Sequence, residues 1–349
     1  MADKLQWGIL GTGAIATTFA KALLHSRTGS LAAVASRSPQ TAAAFGTEFL
    51  HIGSICRCGS YEELLAKPEV QAVYIATPHP THARLAIAAA RAGKHILCEK
   101  PLAMNAHEAQ AIVAAAQQHH VFLMEAFMYR CHPVVHRLVQ LLQQKVIGEV
   151  RAIQANFGFQ SGGNYHSRLL NRGLGGGGIL DVGCYTMSLA RLVAGTAAGE
   201  SFANPTAVHA SGYVGPSGVD EWTFADVQFN DGIAAALGCG VSCEMNNQVH
   251  IFGSEGRIEI PWLWIPQPTG NRIILHRRNE KPREEVIKAP ADVYTLEADI
   301  VAAAVSAGAH QAAAPAMSWA DTLGNMHALD QWRACLGVTY AADEVPLCG

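Results

Sequence analysis

The first 127 residues alternate short, almost continuously apolar runs with longer stretches of helical spacing, and few architectures accept that order. The runs are LQWGILG, SLAAVAS, AVYIAT, HILCEK and VFLMEAF. Between them lie AIATTFAKALLH, SPQTAAAFGTEF with Ser38 as N-cap, SYEELLAKPEV, PTHARLAIAAARAG closed by Gly93, and NAHEAQAIVAAAQQHH capped by Asn105. A strand that is apolar on both faces must be covered on both. The alternation therefore predicts a parallel, doubly wound sheet flanked by helices.

The order then changes. HPVVHRLVQLLQQKVIG reads as a helix with Gly148 just past its end, and strands follow without helices between them. EVRAIQANFGFQ is the first. EWTFADVQF and IAAALGCGVSCE are joined by Asn230-Asp231-Gly232, a hairpin signal. NQVHIFG and RIEIPW are joined by Ser254-Glu255-Gly256, and RIILHRR and EEVIKA complete seven strands. They predict a large, mostly antiparallel sheet in a second, α+β domain. Two helical stretches, YTLEADIVAAAVSAG and SWADTLGNMHALDQWRACLG, end the chain. At 349 residues it exceeds what one core holds. The boundary is placed between residues 1–127 and 128–349, with the last helices open to packing back on the first domain.

Several function classes fall away. A net charge of -3 offers nothing to nucleic acid or a membrane surface. No apolar run reaches the ~18 residues of a membrane helix. MADKLQWGILG is charged and runs straight into a strand, so no signal peptide is expected and the cytoplasm is. Of nine cysteines, Cys56 and Cys58 are two apart and Cys239 and Cys243 four apart, not CxxC, so reduced thiols are expected. The sixteen histidines are scattered with no HExxH, and no metal site is expected.

GILGTGAIA places Gly11, Gly13 and Ala16 in a GxGxxA turn directly after the first strand, with Thr12, Ala14 and Ile15 between. Gly11 permits the turn, Gly13 admits a pyrophosphate, and Ala16 lets the helix approach the sheet. In this position the turn predicts a dinucleotide site of Rossmann type. The second strand ends in Ser36-Arg37-Ser38, where an NAD site carries Asp or Glu. A cation between hydroxyls suits a 2′-phosphate, so NADP(H) is expected. Thr77, Pro78, His79 and His82 of ATPHPTHA stand at another strand's carboxyl end. The two histidines read equally as cofactor contacts or as helix-start residues. LCEKPLAM sets Glu99, Lys100 and Pro101 at the next strand end, and Pro101 permits a cis bond. Lys100 can reach a cofactor ribose or a substrate hydroxyl.

GLGGGGILDVGCYTM carries four consecutive glycines, Gly175 to Gly178, before an apolar helix start. With a nucleotide turn already placed and no GK[ST] ending, it reads as a tight approach to a helix N-terminus. Asp181 and Tyr185, four apart, fall on one helical face, with Asp181 in the first turn. A carboxylate and a phenol make a positioning and proton-transfer pair. A phenol of pKa ~10 is a poor base unless a nearby ammonium favours its phenolate. A capping Asp and a packing Tyr are the plain alternative.

Together, GILGTGAIA, ATPHPTHA, CEKPLAM, GEVRAIQANFG and GGGGILDVGCY resemble the Gfo/Idh/MocA oxidoreductases across nearly the whole chain. DVGCY and EAFMYRCHP resemble the branch of dimeric dihydrodiol dehydrogenase and NADP-dependent D-xylose dehydrogenase. The resemblance implies that Lys100 and Tyr185 are catalytic, with Tyr185 the general acid/base, and that Asp181 orients substrate. It also implies a homodimer packed sheet to sheet. Tyr165, His166 and Arg168, shortly before the glycine run, are candidate substrate contacts. The expected activity is NADP(H)-dependent hydride transfer with a sugar or vicinal diol. A cofactor-retaining glycoside hydrolase and a non-catalytic NADP(H) sensor are the alternatives.

Overall fold

The computed structural model describes residues 4–49 and 55–344; Met1–Asp3, where the leader reading begins, and Cys348 lie outside them. The described residues form two compact units. The first takes the chain up to Ala103, then His107–Cys131 and Ala291–Trp319. The second takes Met104–Ala106, His132–Pro290 and the chain from Ala320 onward.

The first unit holds six parallel strands: β1 (Leu5–Leu10), β2 (Gly29–Ala35), β3 (Cys56–Cys58), β4 (Ala72–Ile75), β5 (His95–Glu99) and β6 (Leu123–Ala126). Their spatial order is β3-β2-β1-β4-β5-β6, the doubly wound Rossmann arrangement, which reverses between β1 and β4. The connecting helices are α1 (Ala14–His25), α2 (Pro39–Glu48), α3 (Tyr61–Leu65), α4 (His82–Arg91) and α5 (Ala106–Gln118). On α1, Ala16, Phe19, Ala20 and Leu23 bury one face. Phe19 stacks on Tyr74 of β4 at 3.9 Å and meets Trp7 of β1 edge-on at 5.2 Å. β3 escaped the sequence reading because Cys-Arg-Cys is too short to alternate. The Asn105 amide donates to the Ala342 carbonyl and to Asp343, while Asp330 accepts from the Ala106 N–H at the start of α5.

The units are not contiguous along the chain, and one of the last two helices joins the first of them. Helix α8 (Val293–Ser306) belongs to the first, because it buries Val293, Ala298 and Val301 and bonds back to α1. Thr295 Oγ1 donates to the Ala22 carbonyl, and Asp299 accepts from the Ser26 and Thr28 hydroxyls. Helix α9 (Trp319–Leu336) goes with the second unit.

The second unit holds α6 (Pro133–Gln143), α7 (Cys184–Ala197) and eight strands: β7 (Val150–Gly158), β8 (Ala207–Val214), β9 (Asp220–Gln228), β10 (Ala234–Gly240), β11 (Val249–Gly253), β12 (Gly256–Ile260), β13 (Asn271–Arg277) and β14 (Arg283–Ile287). Their order is β14-β13-β12-β11-β7-β10-β9-β8, antiparallel except where β10 lies parallel to β7. β8 is the strand missing from the sequence reading. AVHASGYV, at the sheet edge and mostly solvated, carries little apolar signal. The Asn230–Gly232 turn behaves as read, with Asp231 and Gly232 both left-handed. Residues 184–196 of α7 are all buried, and α9 meets the sheet where Trp332 Nε1 donates to Thr223 Oγ1. On other positions of these strands Gln154, Phe224, Asp226 and Ala236 are exposed.

Candidate active site

In the first unit the site begins at the β1–α1 turn. Gly11 has φ +112°, and a Cβ there would lie 2.5 Å from the Ala76 carbonyl oxygen, so only glycine lets the two turns touch. Gly13 is different: a Cβ would meet nothing within 4 Å. Gly13 is the N-cap of α1, no side chain caps it, and no acidic residue stands in the first turn. The amides and dipole of α1 are thus left to an external anion, while Ala16 packs inward. Thr12, Gly13, Ala14 and Ile15 all reach solvent. These residues fit a dinucleotide pyrophosphate.

At the end of β2, Arg37 is exposed and no acid accompanies it. Ser36, expected to face the cofactor beside Arg37, is instead largely buried, its hydroxyl 2.5 Å from Thr41 Oγ1 and accepting from the Ser38 N–H. It shapes the turn and leaves the charge to Arg37.

At the end of β4 lies His82, which the sequence leaves open between a cofactor contact and a helix-start residue. The ring is fully buried, with Nδ1 2.9 Å from the Pro101 carbonyl and Nε2 2.8 Å from the Thr77 carbonyl. Burial holds its pKa below the ordinary value. His82 therefore sits buried between the Thr77 carbonyl and that of Pro101, whose peptide with Lys100 is cis, and in its neutral form its single N–H donates to one of the two. His79, also buried, lies edge-on to it at 5.7 Å. The Thr77 hydroxyl accepts from Thr81, and Pro78 begins the turn of 3₁₀ helix over His79–Thr81. Glu99 accepts from the Tyr74 hydroxyl. Lys100, next along the chain, is half-buried.

In the second unit the glycine run is a packing device. A Cβ on Gly176 would lie 2.6 Å from the Leu169 carbonyl oxygen, and one on Gly177, where φ is +118°, 2.5 Å from Asp220 Oδ1. The Ile179 N–H donates to Asp220 Oδ2 at 2.6 Å, and the Tyr340 hydroxyl donates to the Gly176 carbonyl. The anion at this helix start is Asp220 of β9, already built in. Burial pushes its carboxyl up to about 7, against the amides that favour ionisation.

The chain then makes a π turn, Ile179–Gly183, before α7. Asp181 was expected in the first α-helical turn and stands in this wider one instead, a feature common at functional sites. Its carboxylate pairs with Arg168 Nη1 at 2.9 Å; Asp181 is buried and Arg168 half-exposed. Tyr185 is also buried, with Phe157 and Trp264 edge-on to its ring at 5.3 Å and 6.2 Å and stacked on each other. Trp264 is fixed by its Nε1 bond to the Asn156 carbonyl. Tyr165 donates its hydroxyl to Glu221 Oε1 at 3.0 Å, while His166 is exposed.

The second unit thus brings Asp181 together with Arg168, and Tyr185 with two aromatics. Phe157, Trp264, Asp220, Glu221 and Tyr340 were absent from the sequence reading. Only the inward alternation of β7 pointed to Phe157; the others arrive from distant loops and strands. Among the described residues no group of three or more His, Cys, Asp or Glu side chains gathers as for a metal, and no helix is long and apolar enough to cross a membrane.

Comparison with known proteins matches residues 5–127 to an oxidoreductase family with an NAD-binding Rossmann fold and residues 135–259 to the GFO/IDH/MocA C-terminal domain. Trans-1,2-dihydrobenzene-1,2-diol dehydrogenase of Danio rerio is 35% identical over 345 residues, covering 97% of this chain and 99% of that protein. D-xylose 1-dehydrogenase (NADP(+)) 2 of Haloferax volcanii is 32% identical over 305 residues, covering 87% and 90%. A 3-ketoreductase from Actinomadura kijaniata, solved with NADP and TDP-benzene, superposes with a TM-score of 0.81 at 27% identity, covering 95% of this chain and 98% of that one.

Proposed function

Because the chain belongs to the Gfo/Idh/MocA oxidoreductase family, we propose that it moves a hydride between NADP(H) and a carbinol carbon of an aldose or related vicinal diol. The observation that carries this reading is the buried Asp181, paired with the half-exposed Arg168 and one helical step from Tyr185, in a chain whose other unit leaves the N-terminus of α1 to an external anion. The names of the diol and xylose dehydrogenases support the substrate class. Arg37, exposed where an acid would serve NAD, supports the 2′-phosphate.

When bound, the nicotinamide supplies the hydride acceptor or donor. The protein supplies the proton path and the positioning. Tyr185 takes the hydroxyl proton in oxidation and returns it in reduction. Its ring is held by Phe157 and Trp264, so its hydroxyl keeps one aim. For Lys100 the family resemblance implies the second catalytic role, an ammonium that would favour the phenolate and bond the substrate oxygen. Asp181, fixed by Arg168, accepts from a substrate hydroxyl. Arg168 thus acts through Asp181, and Tyr165 and His166 form the outer wall.

Incubation with NADP⁺ and a panel of aldoses and vicinal diols tests the reading. Steady NADPH production is expected. Glycoside cleavage without net NADPH would replace it with the transient-redox hydrolase, and cofactor binding with neither would leave a sensor.

We also propose a homodimer packed through the open face of the eight-stranded sheet. Phe224 is 53% exposed there and its ring lies across Gly238, an exposed large hydrophobic side chain on that face. Light scattering at micromolar concentration should give twice the chain mass, and Phe224→Asp should reduce it to one.

A further inference from the structure

Cys56 and Cys58 stand two residues apart on β3, so both side chains leave the same face of the strand. Their sulfurs are 3.8 Å apart. Cys58 is buried and Cys56 half-exposed. The Lys67 ammonium lies beside Cys56, whose negative form holds the lysine above its ordinary value. Burial, then Cys56, pushes the Cys58 thiol up to about 12. The pair is therefore unequal: one accessible thiol next to a cation, one sheltered thiol behind it.

The position of the pair matters as much as its geometry. β3 is the edge strand, bonded only to β2, with Ala33 opposite Cys56 and Ala35 opposite Cys58. Ala35 leads directly into Ser36 and Arg37. The next residue after the pair, Gly59, faces Pro39, where a Cβ would be 3.3 Å from the ring. The charge of Arg37 also reaches the Tyr61 phenol. β3 and Gly59 thus abut both sides of the turn that carries Arg37, at Ala35 and at Pro39.

We propose that Cys56 and Cys58 form a reversible redox site, oxidised by low-molecular-weight disulfides, and that the resulting disulfide weakens NADP(H) binding. The second half rests on the reading of Arg37 as the 2′-phosphate ligand. In the first step the Cys56 thiolate attacks one sulfur of the external disulfide. A Cys56 mixed disulfide forms, and one external thiolate leaves and takes a proton. Cys58 then gives its proton to solvent, and its thiolate attacks Cys56 Sγ 3.8 Å away. The Cys56–Cys58 bond forms, and the second external thiolate leaves and is protonated. Two protein thiols are oxidised by two electrons and one external disulfide is reduced to two thiols. The sulfurs must close from 3.8 Å to about 2.05 Å. An edge strand of three residues can pucker to allow it. A ring so short is strained, and strained disulfides are the labile, regulatory ones.

Arg57 between the two cysteines provides the readout, because trypsin cuts after it. The native protein is incubated with oxidised glutathione, its remaining thiols are alkylated, and it is digested after denaturation. The peptides ending and beginning at this cut should remain joined, and dithiothreitol should separate them. Glutathione persisting on Cys56 with Cys58 alkylated, or joining of either peptide to another cysteine, would overturn the site. Cys56→Ser and Cys58→Ala, each folded as judged by melting, should give no joined peptides. The NADPH Kd should rise roughly tenfold on oxidation of the native protein and stay unchanged in Cys56→Ser. Joined peptides with an unchanged Kd would overturn the coupling while leaving the site. If the reading of Arg37 is what fails, the reduced protein will already bind NADH as tightly as NADPH before any oxidant is added.

Discussion

At Gly11–Gly13 and again at Gly175–Gly178 a glycine-rich turn delivers the chain into a helix, one in each unit. At the first, Gly13 has open space where a Cβ would go, and α1 has neither a capping side chain nor an acid in its first turn. At the second, Asp220 bonds the Ile179 N–H and sits where a Cβ of Gly177 would be. The same composition therefore serves opposite ends. One helix start is kept available to an anion from outside, and the other is filled by an anion from inside. Glycine-rich turns bind phosphate only when the protein leaves the helix amides without a partner of its own. Under the proposed function, this comparison gives binding of the nucleotide to the first unit and the acid/base Tyr185 to the second.

The largest effect that would break this division is at Tyr185. Tyr185→Phe keeps the ring between Phe157 and Trp264, so melting and NADPH affinity should be unchanged. Turnover should fall roughly 10²–10⁴-fold, the usual worth of a positioned acid/base. Lys100→Met should do comparable damage, and the double variant little more, because the two act as one unit. Near-native turnover in Tyr185→Phe would move the chemistry to a histidine, His79 or His166.

Alanine at the two turns sharpens the comparison directly. Gly177→Ala forces a side chain into a φ of +118° and against Asp220, which should destabilise the protein by about 2–5 kcal/mol through strain and overpacking together. Gly13→Ala has room, so stability should change by no more than about 1 kcal/mol, yet the new methyl stands where the pyrophosphate would pass. NADPH affinity should fall at least about tenfold. Calorimetric melting and cofactor titration on both variants separate the cases; a Gly13→Ala protein that melts early but binds normally would reverse the assignment.

The first unit was largely legible in the sequence because its requirements are local. An apolar strand, a glycine turn and a helix start are contiguous, and backbone amides do the work. β3 escaped because three residues cannot show a period. His82 was ambiguous because a histidine at a helix start looks the same whether it faces a ligand or two carbonyls; only its burial between Thr77 and Pro101 decides. In the second unit Asp181 and Tyr185 were visible as a spacing, but what holds them was not. Arg168, Phe157 and Trp264 reach them across 13, 28 and 79 residues of chain, distances that no local pattern encodes. β8, polar and at an edge, lacked the apolar signal that exposed its neighbours.

Asp220 gives the built-in anion a pH signature. Its carboxyl is carried from 3.8 to about 7 by burial. Below about pH 4 both folded and unfolded chains hold the proton; between there and about 7 only the folded chain does. Stability from this group is therefore greatest at the acid end and falls as pH rises, by about 4 kcal/mol in all at 1.36 kcal/mol per unit. Asp220 Oδ1 has no hydrogen-bond partner among the described residues. Asp220→Asn keeps an acceptor for the Ile179 N–H and removes the titration. Denaturant midpoints at pH 5 and pH 8 should show the variant gaining on the native protein as pH rises. A constant difference would mean that Asp220 is ionised throughout.

The smallest effect separates the two residues at the end of β2. Arg37 is exposed, and a guanidinium bonded to a phosphate contributes about 1.5–3 kcal/mol, so Arg37→Ala should weaken NADPH roughly 10–100-fold and leave NADH nearly unchanged. Arg37→Asp should go further and invert the preference, since a carboxylate repels the 2′-phosphate and accepts from a free ribose hydroxyl. Ser36 uses its hydroxyl on Thr41, so Ser36→Ala should loosen the turn and weaken both cofactors by the same small factor. Discrimination then resides in one side chain and its support in another. If Arg37→Ala weakens NADPH and NADH equally, the guanidinium only shapes the turn, and the choice of cofactor must be made elsewhere in the first unit.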